Sequence, residues 1–218
     1  MIELLFPAVL FVVVAAVING QLLLKKKYPY DEKWYLFIPI LLFSSVVLLL
    51  IYDIPVSAPT ATVAISLIFL ISVYLGLSYV WYKTLVALGV YGIETIPVEN
   101  QNIVRVKPLA DATKLVEILF QDVVALATVL TLTQITADNT LAILILTVIV
   151  FIVHIPGIKL FGRIFGTFWL FASTALAPIA YYLLSFEQGL YYLFILHSST
   201  YLLLYSSIYI LSKTRSRY

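Results

Sequence analysis

The chain has 218 residues, 63% of them hydrophobic and only 11% charged, with a mean hydropathy of +1.07. Soluble domains carry about 25% charged residues, so this composition excludes a soluble domain and points to an integral membrane protein. The formal charge of +2 says little by itself, and the absence of cysteine excludes disulfides, thiol catalysis and Cys-ligated metals.

A membrane-crossing helix needs about 20 apolar residues. Runs of that kind lie at about 4–24, 35–52, 61–82, 109–134, 140–156, 165–186 and 189–212, the fifth being the shortest. The expected fold class is therefore all-α, a single polytopic domain (1–218) of about seven transmembrane helices. The opening "MIELLFPAVLF" carries Glu3 and no basic leader, so it is read as a retained first span and not a cleaved signal peptide. Span two follows Lys25, Lys26, Lys27 and Lys33, and contains Pro39. Span three follows the short turn "DIPVSAPT". The one long connection, 86–108, ends at Pro108, a favourable first-turn residue for span four. "ITADN" separates spans four and five. Pro7 and Pro178 also fall within spans, where membrane helices tolerate proline.

With seven spans, all 13 basic residues fall on one side: Lys25–Lys33, the group Lys83 to Lys114, Lys159 with Arg163, and the tail Lys213, Arg215 and Arg217. Glu3, Asp53, Asp138 and Glu187 fall on the other. Basic residues stay cytoplasmic, so the N-terminus is expected outside and the C-terminus inside. Trp34, Trp81 and Trp169 fall at the same cytoplasmic ends, where amphipathic rings settle.

Few ionisable residues remain at depth: Glu117 and Asp122 in span four, His154 in span five and His197 in span seven. A charge at the bilayer centre costs about 2.5–3.5 kcal/mol or more, so such residues face the bundle interior and serve a task. Glu117 lies about 13 Å into its helix and shares a face with Gln121. Asp122 lies about 140° around from it. The purely structural alternatives are an ion pair of Glu117 with Lys114, a hydrogen-bonded packing role for Asp122, and core histidines bonded to hydroxyls. A carboxylate and a histidine sharing one water supply a general base and acid, and a second histidine can face a developing oxyanion. Glu with two His is also a zinc-type set, but no H-E-x-x-H pair occurs.

The motifs resemble those of the type II CAAX prenyl endopeptidases and their bacterial relatives, the CAAX protease and bacteriocin-processing family. "VEILFQ" (Val116 to Gln121) is similar to that family's E-E-x-x-x-R helix, "VFIVH" to its F-x-x-x-H, and "HSSTY" to its H-x-x-x-N/D. The resemblance covers a four-helix core at about 108–212. The departures are Val116 for the first glutamate, Gln121 for the arginine, Val150 for the aromatic (Phe151 is one place off) and Tyr201 for the last Asn or Asp.

The resemblance implies a metal-independent intramembrane endopeptidase without a cofactor. Glu117 and His154 would activate water and His197 would steady the oxyanion, with Gln121, Asp122 and Tyr201 in support. Val116, Gln121 and Tyr201 favour the alternative of an inactive, membrane-embedded binding or chaperone-like protein. A proton-coupled transporter is the second alternative. The expected partners are the lipid bilayer and a peptide or membrane-protein substrate, with no nucleic acid, and the expected location is the plasma membrane. Convergence of the three residues requires span five to continue past Gly157, or span seven to extend into the tail.

Overall fold

The computed structural model describes residues 30–54 and 108–215, with isolated positions (Ala61, Ile65, Phe69, Ser72, Val80 and Thr84) between them. The first expected span, most of the third, Lys25–Lys27, Trp81 and the connection 86–107 lie outside the described residues. Among the described residues every element is a helix: α1 (Tyr30–Ile51), α2 (Pro108–Thr136), α3 (Asn139–His154), α4 (Pro156–Leu184) and α5 (Gly189–Arg215). Three segments among them are long and apolar enough to cross a membrane: Lys33–Ile51, Asp111–Thr136 and Asn139–Lys159. In a bilayer, each span must satisfy its backbone internally, which is why these apolar runs are helical throughout. Hydroxyls within the spans bond back to their own helices, as Thr128 does to the Val124 carbonyl at 2.7 Å and Ser45 to Leu41 at 2.8 Å.

Helix α2 is the hub. Of its apolar window 61% is buried, against 17% for α1 and α3. The outer faces of those two helices carry exposed Phe43, Leu50, Leu144 and Ile152, the surface a span turns to lipid.

The helix directions follow from the contacts. Tyr52, just past α1, lies 3.4 Å from Thr131 near the end of α2, and Leu41 and Leu48 pack on Phe120, Val123 and Val124. Helices α1 and α2 therefore run parallel. The expected span 61–82 lies between these two helices in the sequence.

Helices α3 and α4 are antiparallel. The Tyr181 hydroxyl donates to Asn139 Oδ1 at 2.8 Å at one end. At the other end the backbone of Gly166 lies against Gly157 and Ile158, so closely that a Cβ there would overlap both. Small residues let membrane helices approach in this way, and buried Ala127, Ala142 and Ala177 extend the same close packing along α2, α3 and α4.

The reversal sits at Gly162, where φ 80 and ψ 166 suit only glycine. The chain keeps a helical course from Asn139 through Ile155 (φ −51, ψ −43) and Pro156 up to that glycine. Proline is tolerated there because it stands at the first turn of α4. Span five thus continues past Gly157, the first of the two routes to convergence. At the opposite end, Asp138 caps α3 by accepting from the Thr140 and Leu141 amides at 2.8 and 3.3 Å.

Candidate functional site

Among the polar side chains that helix α2 carries inward, Glu117, Gln121 and Asp122 divide between two clusters. The first belongs to Glu117, 5% exposed. Lys114 Nζ lies 2.8 Å from its Oε2, and Gln121 Nε2 donates to its Oε1 at 2.7 Å. Lys114 also stands over the ring of Tyr201, 5.8 Å from its centroid, and Tyr201 itself is buried at 2% exposure. The spacings of three and four residues put Lys114, Glu117 and Gln121 on one stripe of the helix. The ion pair is the structural alternative open to Glu117 from sequence, and it is present.

The second cluster lies on the other side of α2. Asp122 Oδ1 is 2.9 Å from Nδ1 of His197 on α5. Asp122 is 2% exposed, and its Oδ2 has no hydrogen-bond partner. His154, at the end of α3, holds its Nδ1 2.8 Å from the Val150 carbonyl. A carbonyl only accepts, so Nδ1 carries the proton there and Nε2 is the basic nitrogen of the neutral ring. Neither histidine has the hydroxyl partner of an ordinary core histidine among these contacts.

Asp122, His154, His197 and Gln121 all line one cavity of about 330 Å³ between α2, α3, α4 and α5. Its remaining wall is mainly aliphatic, including Val124, Leu146, Val150, Leu176 and Leu193, with Thr128 and Ser173 among its few other polar residues. Small-ligand sites typically hold about 300–1,000 Å³ and pair an apolar wall with a few placed polar groups, which is the pattern here. Glu117 does not line it. Its carboxylate is engaged by Lys114 and by the amide of Gln121, which does line the cavity. Among the described residues, no three of His, Asp and Glu form a group that could hold a metal ion.

The structure thus places His154 and His197 on one cavity, pairs Asp122 with His197, and leaves Glu117, the expected partner of His154, off that cavity. From sequence, Asp122 has no visible basic partner, because His197 is 75 residues away. The one signal was its angle around α2, which separates it from Glu117. No family profile, curated protein or solved structure matches the chain.

Proposed function

We propose that this protein is an intramembrane endopeptidase in which His197, oriented by Asp122, is the base that activates water. The observation that carries this reading is the 2.9 Å Asp122–His197 pair on a cavity shared with His154. An acid that accepts from Nδ1 fixes the tautomer, so that Nε2 faces the reaction. The water oxygen bonds to the carbonyl carbon while His197 Nε2 takes its proton and Asp122 stabilises the imidazolium. His154 Nε2 accepts the other water hydrogen and holds the nucleophile in line. The second N–H of Gln121, whose first is given to Glu117, faces the developing oxyanion. The C–N bond then breaks as His197 returns its proton to the leaving nitrogen. Glu117 is a positioning residue here, holding Gln121 through one carboxylate oxygen and Lys114 through the other. Tyr201 supports the Lys114 end.

N-terminal peptide profiling of membranes tests this. New termini should appear with wild type and disappear with His197→Ala at matched expression. Identical profiles would favour the non-catalytic binding reading, which the largely aliphatic wall of the cavity also suits. Substrate-driven proton flux in vesicles would favour transport.

The same reading includes seven spans in the plasma membrane, with the N-terminus outside and the C-terminus cytoplasmic. It is supported by the placement of Lys114, Lys159 and Arg163 at one end of the helices and Asp53, Asp138 and Glu187 at the other. The chain has no cysteine, so single replacements report cleanly. Glu187→Cys should be labelled by an impermeant maleimide in intact cells, and Lys159→Cys only after permeabilisation. The reverse pattern would invert the topology.

A further inference from the structure

The polar end of the cavity is rich in acceptors and poor in donors. Both histidines place Nδ1 on a fixed partner, the Val150 carbonyl and the Asp122 carboxylate. Each neutral ring is left with Nε2 as an acceptor. Behind them Asp122 Oδ2 is buried and without a hydrogen-bond partner. Asp122 also brings a formal negative charge, and the nearest lysine on its helix, Lys114, is engaged with Glu117 at 2.8 Å. A carboxylate paired only with a neutral imidazole in an apolar, bilayer-level cavity is costly unless a cation or a proton meets it. The other walls are mainly aliphatic, with Gln121, Thr128 and Ser173 as their polar residues.

We infer that this cavity binds a primary ammonium carried on an apolar chain, with the ammonium at the two Nε2 atoms, in the field of the Asp122 carboxylate behind them, and the chain along Val124, Leu146 and Leu193. An ammonium has three donors and no acceptor, which suits an end where acceptors predominate and supplies the counter-charge. The same chemistry has two sources, a free aliphatic amine and the α-ammonium of a peptide that begins with an apolar residue. The inference names the ligand class of the site proposed above and rests on that placement of the site, not on turnover.

The test is calorimetric titration of the purified full chain in nanodiscs with octylamine, octanol and octanoate. Controls with empty nanodiscs subtract partition into lipid. Octylamine should bind at least about tenfold more tightly than octanol or octanoate, the scale of a charge-assisted hydrogen bond. Asp122→Asn should remove that preference. If that variant does not fold, His154→Ala should weaken octylamine binding severalfold and leave octanol unchanged. Equal binding of the three probes, or a preference for octanoate, overturns the inference. Leucinamide against its N-acetylated form then separates the sources: tighter binding of the free amine form assigns the site to peptide termini, and binding of octylamine alone assigns it to aliphatic amines. Retained amine preference without any cleavage would sink the peptidase reading and leave this one standing. Intact cleavage with no amine preference would do the opposite.

Discussion

Asp122→Asn should lower turnover by about four orders of magnitude while the helices and the oligomeric profile stay unchanged. The magnitude is that of the equivalent change in the Ser-His-Asp arrangement, where the acid selects the histidine tautomer. Asp122 accepts from His197 Nδ1 at 2.9 Å. An asparagine amide can turn its NH2 to the same nitrogen, which then becomes the acceptor. The ring proton moves to Nε2, and a protonated Nε2 cannot take a proton from water. The substitution changes neither volume nor helix, so lost packing does not explain the effect. Glu117→Gln should cost far less, since Glu117 does not line the cavity and holds Gln121 from outside it. Rates of appearance of new termini in reconstituted membranes measure both. A larger loss for Glu117→Gln than for Asp122→Asn would return the base to Glu117.

Phe120→Ala should destabilise the bundle by about 3 kcal/mol, the low end for an aromatic-to-alanine change in a packed core. Phe120 is fully buried in the seam between α1 and α2, against Leu41, Leu48, Val123 and Val124. In a bilayer the lipid is as apolar as the core, so removing surface from water contributes little to helix association. Lost dispersion contacts around the void remain. Denaturant titration of the full chain in mixed micelles measures the loss. Cleavage should persist in folded material, because α1 contributes no residue to the cavity wall. A loss below about 1 kcal/mol would mean that α1 is not packed on α2 as described.

The helices were legible in the sequence because lipid permits so few alternatives. Runs at about 109–134 and 189–212 correspond to α2 (Pro108–Thr136) and α5 (Gly189–Arg215). Pro108 marked the start of α2 through its own chemistry, whereas the Asp138 cap of α3 emerged only from the structure. The Lys114–Glu117 pair was legible from its i, i+3 spacing. The course past Pro156 was not, because a proline within an apolar run reads equally as a stop or a first turn. What resolves it is Gly166 packed on Gly157 and the positive φ of Gly162, and neither is a local signal. The Asp122–His197 pair was hidden for a related reason. It depends on how α5 is rotated against α2, and the consecutive polar residues His197, Ser198, Ser199 and Thr200 point all the way round that helix, so its pattern leaves the rotation unspecified.

The most direct test of the hydrolytic claim is to incubate membranes in heavy-oxygen water, digest them in ordinary water and read the new C-termini by mass spectrometry. Wild type should yield termini carrying one heavy oxygen, and His197→Ala and Asp122→Asn should not. Wild-type membranes without labelled termini, or equal labelling in all three, would contradict a water-activating site at Asp122, His154 and His197.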